Sequence, residues 1–338
     1  MRGEASSDVF KVWLHAGASV LLGAWVSPLL YNGGKALAEV SSVKTTNGPL
    51  EWLAGVCRKA DFPDFFAASL LIAAAVLFLP LVEWLRGGRA ASGGKFWSMR
   101  LPQGARDHQA GQRLLKNPHG LRQAATGFLL VVMLFLAFVG VLILAGVLQW
   151  KNPGEGMAKI LLRGLVGALV LAVFQEILFR GIAMGIFLRA MRPSAALGMA
   201  AVFFALVHFL NPPPGLNVLD PDASGVGFEL LRKIAAQFSE PRAVLGTFTP
   251  LLALGGVLAY ARWRTASLCL PVGLHAGWIF VNSLIASVTM TSAGQDSFLW
   301  VLSGPSLKQG LVPMFGILVA GVLANYLTIP DASTDTPA

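Results

Sequence analysis

ILLRGLVGALVLAVFQEILFRGIAMGIFLRAM, residues 160–191, is the stretch whose reading decides the fold class. It is long and apolar enough to cross a bilayer as a helix, yet an acid and a base interrupt its middle. Glu176 is the one acidic residue, of seventeen in the chain, that sits deep inside an apolar run. Arg180 follows four positions later, so at about 100° per residue the two side chains share a helical face. A charge in hydrocarbon is costly unless paired or hydrated, which makes the pair a functional candidate by default. The plainer reading is an intrahelical ion pair that holds two helices together.

The rest of the chain has the same character. With 338 residues, 55% of them hydrophobic and only 13% charged, the sequence is that of an all-α polytopic membrane protein. About eight transmembrane helices are predicted, over residues 10–31, 65–85, 125–149, 160–191, 194–212, 244–261, 266–288 and 311–329. The first run is too long for a typical signal core, so it is read as an uncleaved span despite the small residues at Ala36-Leu37-Ala38. Three regions are expected: N-terminal helices with a long basic loop (1–159), a core (160–288), and a last helix with its tail (289–338). No inverted repeat is visible.

A net charge of +9 would suit nucleic acid, but the basic residues cluster in loops between spans, where membrane topology explains them. No nucleic-acid partner is expected. With the N-terminus inside, fourteen Lys and Arg fall on the inner side and ten on the outer. The decisive loop runs from Arg86 to Arg122, with eight positive charges against Asp107 alone. Both termini are therefore expected in the cytoplasm, with the chain in the inner or plasma membrane if it is bacterial. That loop sets topology and is also suited to anionic lipid headgroups. In the outer loop after Pro212-Pro213-Pro214, the spacing of Phe228, Leu230, Leu231, Ile234, Ala235 and Phe238 predicts a short surface or interfacial helix. Cys57 and Cys269 form neither a disulfide framework nor a zinc-ligand pattern.

Two more apolar runs each carry a deep histidine. Phe204 and His208 are an i, i+4 pair on the fifth span. The turn at Arg192-Pro193 puts Glu176 seventeen residues before Pro193 and His208 fifteen after it. An antiparallel pair of helices would bring both to one level, on the order of 22–26 Å from the turn. The seventh span supplies His275 and, on the same face two turns later, Asn282. Ala276 and Gly277 would let a neighbouring helix come close there. Trp278 is read as a packing anchor, and His15 in the first span as packing.

These segments resemble the CPBP family, the CAAX proteases and bacteriocin-processing enzymes, also called the Abi family of intramembrane proteases. The family pattern is Glu-Glu-x-x-x-Arg, then Phe-x-x-x-His, then His-x-x-x-Asn, on separate helices. Here it reads Gln175-Glu176 through Arg180, then Phe204 to His208, then His275, within roughly residues 160–288. The resemblance implies that the leading glutamate and the histidine matching His208 activate water, while the last histidine and the asparagine polarise the scissile carbonyl. Two positions depart: Gln175 replaces the leading glutamate, and Ile279 stands where asparagine is expected. An amide cannot accept a proton as a carboxylate does, so His208 becomes the main candidate for activating water, with Glu176 and Arg180 organising the site. Asn282 is a substitute amide, although two turns put it about 10 Å along the axis from His275.

The catalytic candidates are thus Gln175, Glu176, Arg180, His208 and His275, with Phe204 and Asn282 as substrate contacts. No cofactor is expected. Zinc is the alternative, because the family has been labelled as metalloproteases, but the chain has no His-Glu-x-x-His helix. The reading is an intramembrane endopeptidase acting on a membrane-associated peptide or protein in the lipid bilayer. Its rivals are a catalytically impaired relative that binds a membrane partner or confers immunity, and a proton-coupled transporter.

Overall fold

The computed structural model describes residues 2–43, 48–87, 117–154, 156–212, 218, 220–223, 225–241, 244–292 and 310–328. Most of the basic loop between Arg86 and Arg122 lies outside the described residues, so its expected lipid contact has no structural counterpart here. The chain is an all-helical membrane protein. Six helices are long and apolar enough to cross a membrane: Ser7–Ser42, Phe62–Leu85, Gly120–Leu144, Met157–Ala190, Val244–Thr265 and Cys269–Val288. Two shorter apolar helices, Pro193–Phe209 and Leu311–Leu327, occupy the remaining expected positions.

Two compact units divide the chain. The first comprises Met1–Ser98 and Val207–Glu240. Its described helices are α1 (Arg2–Val43), α2 (Gly48–Lys59), α3 (Phe62–Gly87) and α8 (Val226–Ala236). α1 runs about three turns beyond the expected end at residue 31. Its added turns are held by tertiary contacts that hydropathy does not register. Ala38 packs with Cys57 and Phe65, and Lys35 Nζ donates to the Ala60 carbonyl at 2.7 Å, just past the end of α2. α1 and α3 approach closely at Gly23, where a Cβ would collide with the Leu70 backbone, and Ser69 Oγ donates to the Gly23 carbonyl at 2.7 Å. α8 confirms the helix expected in the outer loop and shows what its apolar face does. Val226, Leu230 and Ile234 are buried with Ala24, Phe62 and Phe66, and Gly227 sits directly on the Ala24 carbonyl.

The second unit comprises Met99–Leu206 and Pro241–Ala338. It contains α4 (Gly120–Leu144), α5 (Met157–Glu176), a wide π-helical segment (Ile177–Ala183), α6 (Met184–Ala190) and most of α7 (Pro193–Phe209). A second π segment (Val244–Phe248) leads into α9 (Thr249–Thr265), followed by α10 (Cys269–Val288) and α11 (Leu311–Leu327). α10 is the central rod, with nearly every residue from Leu270 to Asn282 buried. Its glycine face packs on α4: a Cβ at Gly273 would land on the Ala124 carbonyl, and one at Gly277 would lie 2.8 Å from the Phe128 carbonyl oxygen. The expected close approach at Gly277 is therefore present, and Gly273 extends it one turn earlier. Around this seam Val131, Phe135, Leu254, Leu258, Leu274 and Ile317 form the core, with Phe135 edge-on to Trp278 at 5.1 Å.

Helix ends differ from expectation for local reasons. α10 begins at Cys269 rather than 266 because Ala266 turns into left-handed backbone (φ 47°) and the Ser267 hydroxyl accepts the Cys269 N–H. The third predicted span, 125–149, ends at Leu144. Beyond it, Leu148–Trp150 (β1) pairs antiparallel with Thr289–Thr291 (β2), with Gln149 opposite Met290. That short ribbon is the one departure from an all-helical chain among the described residues.

Candidate active site

Glu176 is the last residue of α5, and the helix widens immediately after it. A π turn adds room within one helical turn and is frequent at functional sites. Glu176, Arg180 and His275 are all buried, although each carries a polar head. Arg180 Nη1 donates to Glu176 Oε1 at 3.0 Å, and Nη2 donates to the Gly255 carbonyl of α9 at 3.2 Å. The guanidinium also lies over the Phe204 ring, 4.3 Å from its centroid. Gly255 can present its carbonyl so deeply because α9 packs closely on α7, with Ala201 Cα 3.0 Å from where a Cβ would stand.

His275 completes the cluster. Its Nδ1 lies 2.7 Å from Glu176 Oε1, and its ring meets Phe204 edge-on at 5.7 Å. As the partner of a guanidinium, Glu176 is a carboxylate and can only accept hydrogen bonds. Nδ1 therefore carries the proton, and in the neutral ring Nε2 is left as the acceptor. Both bonds fall on one carboxylate oxygen. The other, Oε2, is buried and has no hydrogen-bond partner among the described residues. This is a carboxylate–imidazole pair held by an arginine, an arrangement that fixes a histidine tautomer and balances an imidazolium charge.

Glu176, Arg180, Phe204 and His275 thus meet in one place. Gln175, one position earlier and about 100° round the helix, is not among the bonds of this cluster, and its buried Oε1 has no hydrogen-bond partner among the described residues. Between the two neighbours, the histidine is held by the glutamate. Asn282 is two turns along α10, and its amide donates to the Trp278 carbonyl at 2.8 Å. His208 lies on the last turn of α7, in the stretch Val207–Glu240 that belongs to the first unit. Sequence reasoning missed two participants, the Gly255 carbonyl and the π segment. The adjacent Gly255-Gly256 was the signal available for the first.

Every one of the four clustered side chains lies within one contiguous stretch that is itself recognisable. Residues 157–281 match the Rce1-like family, described as type II CAAX prenyl endopeptidase Rce1-like. The match begins at the first residue of α5 and ends within α10, so it takes in all three motifs. It is consistent with the CPBP and CAAX-protease resemblance of those motifs, and it supports a CAAX-type intramembrane endopeptidase in general terms. No curated protein and no solved structure matches the chain.

Proposed function

We propose that the chain is an intramembrane endopeptidase that hydrolyses a peptide bond of a membrane-associated substrate, with prenylated C-terminal peptides as the substrate class. The observation that carries this reading is the 2.7 Å contact between Glu176 and His275, buried inside the matched segment. Such a pair is suited to proton transfer beside a reacting carbonyl. In the proposed reaction His208 takes a proton from water as the oxygen attacks the scissile carbonyl carbon. His275, entering the step as an imidazolium with both ring nitrogens protonated, donates Nε2–H to the developing oxyanion while Glu176 balances its charge. Collapse of the tetrahedral intermediate breaks the C–N bond, and the proton held by His208 passes to the leaving amine. Arg180 keeps Glu176 in place, and Gln175, an amide, supplies no base.

The proposed chemistry is metal-independent. Glu176 and His275 supply two donors in the second unit, already bonded to each other, and a guanidinium 3.0 Å from the carboxylate oxygen opposes a divalent cation. With His208 engaged as the base, these two alone would leave a zinc ion short of the three protein ligands a catalytic site uses. The proposed topology keeps both termini cytoplasmic, on the charge asymmetry of the loops.

A second reading is favoured by Gln175 and Ile279: a relative without its usual base that binds a membrane partner. Purified protein reconstituted in vesicles with a membrane-tethered prenylated peptide tests both. Cleavage that His208→Ala abolishes supports the enzyme; full activity in that variant removes His208 from the mechanism. No cleavage by the native chain, with strong cleavage after Gln175→Glu, supports the binding protein.

A further inference from the structure

α2 is a twelve-residue helix between two membrane spans, and its surface is divided in a way that packing alone does not explain. At about 100° per residue, Trp52, Val56, Leu53 and Leu50 follow one another round an apolar arc of about 160°. Glu51, Gly55, Arg58 and Lys59 fill the opposite arc. Only Ala54 and Cys57, at one edge of the apolar arc, are buried. Trp52 is 71% exposed, Val56 46%, Leu50 43% and Leu53 40%. A soluble surface helix would turn such an arc inward, so here most of an amphipathic face is uncovered.

The chain fixes where that face lies. Span Ser7–Ser42 ends just before α2 and span Phe62–Leu85 begins just after it. Five peptide steps from Val43 to Gly48 reach at most about 18 Å, and three from Lys59 to Phe62 about 11 Å. The C-terminal end of α2 is also tied directly to α1. Lys35 Nζ donates to the Ala60 carbonyl at 2.7 Å and Arg58 Nη2 to the Ala38 carbonyl at 3.4 Å. α2 therefore stays at the level where its flanking spans leave the bilayer. An apolar arc with an exposed tryptophan, flanked by cations, is the composition of a helix lying in the headgroup layer. Lys59 follows Trp52 by two turns on nearly the same line of the helix, about 10 Å further along the axis, placed to reach phosphate while the indole is buried.

We infer that α2 is an interfacial helix that lies flat in the headgroup region of the phospholipid bilayer, inserting Trp52, Leu53 and Val56 beneath the phosphates and offering Lys59 to them. This holds whatever reaction the second unit performs. The test is a nitroxide walk along positions 50–56 and 59 in a Cys57→Ala/Cys269→Ala background. The full chain is reconstituted in phosphatidylethanolamine and phosphatidylglycerol vesicles. The ratio of collisions with oxygen to collisions with a water-soluble nickel chelate should be several-fold higher at 50, 52, 53 and 56 than at 51, 55 and 59. A ratio that is uniform round the helix overturns the inference, as does shielding of 52, 53 and 56 from both probes, which would mean protein covers them. Fluorescence gives a second reading without a label. The signal lost in Trp52→Phe should be quenched by brominated acyl chains; quenching of that signal by aqueous iodide instead would also overturn it.

Discussion

Replacing Glu176 by glutamine keeps the shape of the side chain and removes its charge, which isolates what the ion pair does. In the native protein Arg180 is fully buried, ion-paired with Glu176 Oε1 at 3.0 Å, bonded to the Gly255 carbonyl at 3.2 Å and lying 4.3 Å from the Phe204 ring centroid. After Glu176→Gln the carbonyl and the ring remain, but among the described residues the guanidinium keeps no adjacent counter-charge in a low-dielectric setting. Breaking a buried pair from one side costs about 3–5 kcal/mol, against about 0.5–1.5 kcal/mol for loss of a neutral hydrogen bond. The folding equilibrium should therefore shift by roughly two to four orders of magnitude. Removing the second charge as well, in Glu176→Gln/Arg180→Met, takes away the isolated cation and should restore stability to within about 1 kcal/mol of the native protein. Reversible unfolding in mixed micelles, followed by helix circular dichroism, measures all four corners of this cycle. Proteolysis in parallel should be lost in both variants, because His275 no longer has a carboxylate to orient it. A single variant as stable as the native chain, or a double variant as unstable as the two single costs added together, refutes the reasoning.

Gly273→Val would place a branched side chain on the Ala124 carbonyl and force α10 from α4. A loss of about 1–3 kcal/mol or more is expected in the same unfolding assay, whereas Gly198→Ala, which meets nothing within 4 Å, should leave stability unchanged or slightly raised. On α8, the hydrogen bond from Lys233, reinforced by its charge, holds the exposed Glu229 carboxyl below its ordinary pKa. A depressed folded-state value stabilises above the ordinary pKa, and that contribution disappears as pH falls through the depressed value. Comparing native protein with Glu229→Gln across that acidic range should show a small pH dependence in the former and its loss in the latter.

The parts of this architecture written in consecutive residues were legible, and those assembled across distance were not. Glu176 and Arg180 declared themselves because charge inside an apolar run is rare and their spacing puts them on one face. His275 stood out for the same reason, but its approach to Glu176 depends on two helices ninety-nine positions apart in sequence. The three-residue strands β1 and β2 carry too little pattern to be noticed before their pairing is seen. α2 escaped because twelve mixed residues do not register against twenty-residue spans. The choice between Gln175 and Glu176 was posed correctly by the sequence, yet only rotation about the helix axis answers it. The π turn left no trace, since its residues, Ile177 to Ala183, would make an ordinary α-helix equally well.

That unassuming turn has consequences for how the gene can vary. A residue in an α-helix advances the chain by about 100°, and a π segment advances it by less, so everything after Ala183 is set at an angle that a straight continuation would miss. Met184, Ile186, Phe187 and Leu188 are buried on that offset. Deleting one of the seven preceding residues would exchange seven steps of roughly 80° for six of about 100°, a net rotation of only some tens of degrees, so those four side chains keep their faces while the widened turn beside Glu176 closes. An in-frame loss of a single codon here should therefore spare the buried face after Ala183 and fall on the spacing between Glu176 and Arg180, costing activity before it costs folding.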